Sequence, residues 1–542
     1  MSKDLEKDKL ERIYNNISPF EFKDILIDIA RKNNHNILDA GRGNPNWLSV
    51  VPREAFFIFG LFALEESKRW STSSSLGGMP KEKGIADRFL NYVESLPISD
   101  SKELLSSIYN YGVFNLSIDA DEWVFELTFG TLGCNYPVPD RMLVNVEKTV
   151  NNYLKKELFG DNTYDSNFDV FATEGGAAAM CYIFNSLVNN KLLNKGDKIA
   201  IMTPIFTPYL EIPTLPEYDF DITYIHANEV DKNGFCTYQY SMSEIAKLKD
   251  TTIKALFLVN PNNPASIALD SKSRKYLTDV VHNSNPNLMI ITDDVYCTFV
   301  NNFKSVLSEL PYNTLGVYSF SKYFGVTGWR LGTVMMKKNN IFNDLIRFHN
   351  EEIKDELDKR YIHMSSSPRN ISFIDRMVAD SRCVALNHTA GLSTPQQIQM
   401  AFFSIAAIAD MDDRYKRCTV AICDARKRML LEGMNVENVI NTNDAKYYTE
   451  INFLEWAKKE YGDEYALVFE EKINPFDILY SLANEYGVIL LNGDGFASSK
   501  WAFRVSLANL NDEEYFIIGQ SLRNIFDRLA YKLVYKYKSI PK

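Results

Sequence analysis

The rhythm of hydrophobic and polar positions changes three times along the chain. The first 125 residues read as mostly helical, with apolar stretches such as "AFFIFGLFAL" and polar breaks at "STSSSLGGMPKEKG" and around Pro97. From 168 to 335, short β-rich runs ("FDVFAT", "KIAIMTP", "IKALFLVN", "NLMIITDD", "TLGVYSF", "GTVMMK") alternate with helical stretches. That alternation predicts a mostly parallel sheet covered by helices. Residues 340–435 turn helical again, and "NDLIRFHNEEIKDELDKR" is solvated on one face. The end mixes β-like pieces ("AKYYTEINF", "GVILLNG", "WAFRVSLANL") with helices, which predicts a smaller α+β domain. The expected organisation is α/β: an N-terminal helical segment over 1–125 contributing to the small domain, a large α/β domain over 126–400, and a C-terminal small α+β domain over 401–542. No internal repeat or low-complexity linker interrupts it.

Composition narrows the partners. With 542 residues, the chain has length for two to four domains and a large core. A net charge of -11 argues against nucleic acid or an anionic membrane as the main partner, while leaving room for a local basic pocket. The start, "MSKDLEKDKLERIYNN", is charged and lacks the apolar core of a secretion signal. No run approaches the ~18 apolar residues that span a bilayer. Seven scattered cysteines predict reduced thiols and a cytoplasmic location. Cys418 and Cys423 have no second pair nearby, the six histidines are dispersed, and no metal is expected.

In an open α/β sheet, ligands bind beyond the carboxyl ends of the strands, so the residues there matter most. After "FDVFAT", Gly175, Gly176 and Ala177 open a helix. Its free N–H groups and dipole suit a phosphate, although a tight turn with a close-packed helix start would look the same. After "IKALFLV" comes "NPNNPAS", where Asn263 either shapes a rigid turn or offers its amide to a ring substituent. After "NLMIIT" comes Asp293, a carboxylate that needs a cationic partner if it is buried, with Tyr296 one turn beyond. After "TLGVYSF" comes "SKYFGVTGWRLG", holding Ser319, Lys322 and Arg330 close together. A lysine at the end of a buried strand loses hydration, its pKa falls, and its free amine becomes a nucleophile toward an aldehyde. A phosphate cradle, a carboxylate for a pyridinium, donors for a phenolate and a lysine for an aldehyde together match the functional groups of pyridoxal 5'-phosphate.

The order "TEGG…NPNNP…DDVY…SFSK…GWRLG…FRVS" resembles the fold-type I, class I aminotransferase-like enzymes over most of residues 130–515. The resemblance implies that Lys322 joins the cofactor aldehyde and that Asp293 faces the pyridine nitrogen. It implies further that Tyr296 and Asn263 contact the ring oxygen, and that Phe206 stacks on the ring. Ser319, Arg330 and the Gly175–Gly176–Ala177 amides would hold the phosphate. Arg504, in "FRVS", would clamp a substrate α-carboxylate, for which a planar guanidinium is suited. One departure is visible: "NPNNPAS" lacks the usual Thr-Gly after the proline, which puts the shape of that turn in question.

The chain is longer than ordinary members, with the surplus in the N-terminal helices, the insertion that follows them and the helices of 340–390. "AGRGNPNW", "REAFFIFGLFAL" and "GTLGCNYPVPDRML" resemble the aspartate 4-decarboxylase branch, and the likeness then extends over nearly the whole chain. It implies conversion of L-aspartate to L-alanine and carbon dioxide, with side aminotransferase activity using α-keto acids. It also implies homo-oligomers built from dimers, up to a dodecamer. Arg42, between two glycines, and Tyr136 are candidates for the substrate's distal carboxylate. The bland alternatives are an exposed turn arginine, and a tyrosine that is core or reaches a neighbouring subunit's phosphate. The competing function is a plain aspartate-type aminotransferase. A cofactor-sensing DNA-binding regulator is disfavoured because the N-terminal 125 residues carry no basic stripe.

Overall fold

The computed structural model describes residues 2–14, 17–73, 75–160, 167–232, 234–384 and 391–536. Positions 1, 15–16 and 74 of the first helical stretch, and 385–390 of the later one, lie outside the described residues. In chain order the strands are β1 (Leu38–Asp39), β2 (Phe168–Thr173), β3 (Lys198–Thr203), β4 (Asp221–His226), β5 (Ile253–Val259) and β6 (Met289–Asp293). They continue with β7 (Thr314–Ser319), β8 (Gly332–Lys337), β9 (Tyr448–Asn452), β10 (Val488–Ile489), β11 (Leu491–Asn492) and β12 (Ala502–Ser506).

Seven of these form the central sheet, in the order β2-β8-β7-β6-β5-β3-β4. All neighbours run parallel except around β8, which is antiparallel to both β2 and β7. Strands β2 and β7 are buried along their whole length, which explains why they read as unbroken apolar runs rather than as alternation. The edge strand β4, "DITYIH", escapes the sequence pattern because only Ile225 in it is fully buried. Helices cover both faces. On one, Phe184 of the helix Gly176–Asn189 stacks on Phe257 of β5 with ring centres 4.6 Å apart. On the other, Tyr153 of the helix Val144–Phe159 bonds the Tyr318 hydroxyl of β7 at 2.7 Å.

The N-terminal segment, expected as one block joining the small domain, splits in two. Tyr14 and the apolar side chains from Phe22 to Ala40 share a core with β9, β10, β12 and the long helix Asp512–Lys536, because β1 pairs in parallel with β10 and ties the segment there. The helices Val50–Arg69, Ile85–Ser95, Asp100–Asn110 and Ala120–Leu132 pack instead into the core that covers the large sheet. Phe59, Phe62 and Phe89 interlock there, and Phe59 also meets Phe402 at 5.6 Å. The division therefore falls near residue 40, where a short pairing strand ends, and not at 125. Strand β12 lies between β11 and β9, antiparallel to both, and this small sheet faces the C-terminal ends of β5, β6 and β7.

Candidate active site

A cavity of about 340 Å³ lies where those strand ends meet β9, β12 and the turn 41–44. Asp293, the last residue of β6, opens onto it. Its Oδ2 accepts from the Tyr209 hydroxyl at 3.0 Å and its Oδ1 from the Val295 N–H at 3.2 Å. Burial raises its pKa to about 6, against these two donors. The next residue, Asp294, points into the core, as strand alternation requires, and accepts from the Thr292 and Ser305 hydroxyls at 2.8 and 2.5 Å. Burial raises this second carboxyl to about 7.

Lys322 follows β7. Its Nζ donates to the Gly43 carbonyl at 2.9 Å, and burial, reinforced by Arg504 and Arg330, lowers its pKa while Tyr448 and Asp293 act against this. Beside it, the helix Gly176–Asn189 presents its N-terminal turn, where the first N–H groups have no partner within the helix. Gly175 precedes that turn at φ 89°, a conformation that a side chain would strain, and any Cβ there would strike the Arg330 guanidinium. Arg330 is itself left-handed (φ 55°) and lines the cavity with Ser319, Ser321 and Thr327. This corner can bind an anion such as a phosphate.

Arg504, on β12, is 1% exposed. Its Nη1 donates to Asn263 Oδ1 at 3.0 Å and its Nη2 to the Gly41 carbonyl at 2.7 Å, while its Nε is buried without a hydrogen-bond partner. Among the described residues no carboxylate pairs with it. A buried guanidinium that makes no ion pair, on the wall of a cavity, is suited to receive a carboxylate ligand.

The sequence candidates Gly176, Ala177, Phe206, Asn263, Asp293, Tyr296, Ser319, Lys322, Arg330 and Arg504 thus line one cavity, with Gly175 shaping its edge. The turn after Asn263 closes without the usual glycine because Ser266 itself takes the left-handed conformation (φ 63°). Two bonds hold it there: its Oγ accepts from the Tyr448 N–H and its carbonyl from the Ala445 N–H. Arg42 and Tyr136 do not line the cavity. The Arg42 side chain is 60% exposed and pairs with Asp39 at 2.8 Å; Tyr136 is 62% exposed on its loop. Sequence reasoning missed Tyr448, Tyr209, Gly43 and Phe20. The two tyrosines of "AKYYTEINF" read as strand core, and only their position on β9, two residues from Glu450 on the same face, marks Tyr448 as polar-facing. Among the described residues no cluster of histidine, cysteine and acid side chains could hold a metal, and no helix is long and apolar enough to cross a membrane.

Comparison with known proteins agrees with this geometry. Residues 157–518 match the family model of class I and II aminotransferases. The chain is 44% identical over 530 residues to the bifunctional aspartate aminotransferase and L-aspartate β-decarboxylase of a Pseudomonas species, covering 97% of this chain and 98% of that protein. An aspartate aminotransferase of Sulfolobus acidocaldarius is 29% identical over 184 residues, 33% of this chain and 43% of its own length. In fold, the Thermus thermophilus aspartate aminotransferase solved with maleate superposes with a TM-score of 0.56 at 13% identity, covering 95% of this chain and 98% of that one. The aromatic aminotransferase of Pyrococcus horikoshii does so at 0.57 and 16% identity, covering 94% and 100%. The two superpositions establish fold; the match of the family model and the near full-length identity place this chain in the class I and II aminotransferase family.

Proposed function

We propose that the protein is a pyridoxal 5'-phosphate-dependent aspartate 4-decarboxylase, converting L-aspartate to L-alanine and carbon dioxide with side aspartate aminotransferase activity. The observation that carries this reading is the near full-length identity to the Pseudomonas enzyme, which extends beyond the aminotransferase region on both flanks. The cavity supports it. The residues present fit the cofactor: Gly176, Ala177, Ser319 and Arg330 suit its phosphate, Asp293 its pyridine nitrogen, Tyr296 and Asn263 its ring oxygen, Phe206 its ring face and Lys322 its aldehyde. When bound, the cofactor supplies an electron sink for charge left on the neighbouring carbon.

The chain's own residues do the rest. Asp293, raised to about 6 by burial, is drawn back toward ionisation by a cation placed against it. Arg504 holds the substrate α-carboxylate, oriented by Asn263. The Lys322 amine, its basicity lowered, takes and returns the Cα proton. A distal carboxylate that is to leave as carbon dioxide has to be oriented without its charge being strongly stabilised. Arg42 suits that task through Asp39, since reaching substrate exchanges one carboxylate partner for another and is undone as the group leaves. Tyr136, exposed and away from its own cavity, is assigned to the phosphate of a neighbouring subunit, in a cytoplasmic homo-oligomer built from dimers, such as a dodecamer.

The test is product analysis with the cofactor-loaded protein. Aspartate alone should give alanine and carbon dioxide, with a rate that decays as side transamination removes the active form. Catalytic amounts of pyruvate should restore it. No carbon dioxide, with one keto acid consumed per aspartate, would make the protein a plain aminotransferase. Arg42→Ala should alter the ratio of alanine to oxaloacetate; an unaltered ratio removes Arg42 from the site.

A further inference from the structure

We propose that Tyr448 is the proton partner of Lys322, its phenol oxygen and the lysine amine forming one two-seat site for a proton. The inference rests on the reading of Lys322 as the base. It starts from position: Tyr448 lines the cavity from the small-domain side, while Lys322 comes from the large-domain side. Both converge on Gly43, where the point a Cβ would occupy lies 2.7 Å from Tyr448 Oη and 3.1 Å from Lys322 Nζ. A side chain at 43 would press on both groups at once.

The surroundings of Tyr448 favour negative charge on its oxygen. The Arg504 guanidinium lies 4.2 Å from its ring centre, and the Tyr296 hydroxyl donates to its Oη at 3.1 Å. The remaining groups that face it are Tyr447, against its ring at 5.0 Å, and Glu450, two residues on and opposite Arg504 in the strand register. Lys322 is faced in addition by Arg330 and Asp293. Burial raises the Tyr448 pKa, but Lys322, Arg504 and the Tyr296 bond outweigh it, and the net direction is downward. Tyr447, equally buried, moves well upward; its hydroxyl is spent on the Gly43 carbonyl at 2.8 Å. Two adjacent tyrosines, one just before β9 and one opening it, are thus set up for opposite purposes.

With one proton on the pair, moving it from Nζ to Oη turns an ammonium facing a phenolate into an amine facing a phenol. No atom or net charge leaves the cavity, and Lys322 gains the lone pair it needs to take the Cα proton. A purely structural Tyr448 would leave the ionisation of Lys322 unaffected.

The experiment follows phenolate absorbance with pH in the full chain freed of cofactor. One tyrosine should ionise ahead of the rest in wild type and in Tyr447→Phe. That early phenolate should be absent in Tyr448→Phe, and in Lys322→Met it should move to higher pH. In the loaded protein, the pH midpoint of the cofactor–lysine absorbance band should shift in Tyr448→Phe by about one pH unit, the scale of one strong neighbouring interaction, and stay put in Tyr447→Phe. Identical titrations of wild type and Tyr448→Phe would overturn the proposal. So would an early phenolate that ignores Lys322→Met, and this arm decides alone if Tyr448→Phe does not fold. A loaded protein that gives no carbon dioxide from aspartate would instead sink the functional reading, whatever the titration shows.

Discussion

The two sides of the cavity are built from different material. The floor is the end of the large sheet: Asp293 ends one strand, Lys322 follows its neighbour, and the anion corner is a helix start that lines the same cavity. The roof is assembled from distant parts of the chain, with the turn 41–44, Tyr448 of β9 and Arg504 of β12. The two are tied by the roof's own backbone, since the Gly43 carbonyl accepts from Lys322 and the Gly41 carbonyl from Arg504. The floor positions chemistry through sheet register, which resists deformation. The roof is held by contacts that cross between the two cores and respond to how they pack.

The largest effect is expected on the floor. Lys322→Ala should abolish turnover, because among the described residues no other lysine lines the cavity, while leaving the thermal unfolding transition near that of wild type. Product formation above a tenth of the wild-type rate would show that the floor does not hold the reacting centre. Second comes the roof's charge. Arg504→Lys keeps a cation but loses the fork that bonds Asn263, Gly41 and a carboxylate at once. A loss of about 2–4 kcal/mol in transition-state binding is expected, read as kcat/KM for aspartate. A loss under tenfold would assign the α-carboxylate to another residue.

The same contrast explains what could be read from the sequence. Floor residues sit next to the apolar runs that announce the strands, so Asp293, Asn263, Lys322 and the glycines of 175–176 stand out by position alone. Arg504 is legible for the same reason, an arginine inside the apolar strand "WAFRVSLANL". Tyr448 and Gly43 are not, because their meaning lies in a contact between residues 43, 322 and 448 that no local pattern encodes. Tyr209 was hidden likewise; its hydroxyl reaches Asp293 from a helical turn after β3. The split of the N-terminal segment between two cores is not legible either, because helical rhythm shows that a segment is amphipathic and not which core its apolar face meets.

A smaller effect should come from the seam between the two sides. Gly43→Ala places a methyl against both Tyr448 Oη and Lys322 Nζ. Each is the end of a side chain that can shift a little, so an overpacking cost of about 1–2 kcal/mol is expected in kcat/KM, not loss of folding. A change below twofold would mean that the roof turn moves freely over the floor.

The smallest effect on activity, and the clearest pH signature, is expected one residue from the cavity. Asp293 and Asp294 are consecutive on the same strand end, yet only Asp293 opens onto the cavity. Burial raises Asp294 to about 7 from an ordinary value of 3.8. Between those two values the folded protein holds a proton that the unfolded chain has released, so stability falls as pH rises through this window and levels off above it. Glu126 and Glu450, each raised to about 7, act in the same direction. Asn at 294 keeps the acceptor oxygen but carries no titrating proton. Asp294→Asn should therefore flatten the decline of Tm between pH 5 and 8 by about 1 °C, the shift that each kcal/mol produces in a chain of this length. Its kcat should stay within about twofold of wild type, because the side chain touches nothing in the cavity. A pH slope identical to wild type would show that Asp294 is ionised in its buried seat, held by the Ser305 and Thr292 hydroxyls alone. A collapse of kcat with the slope unchanged would show that the two carboxylates act as a coupled pair on the floor.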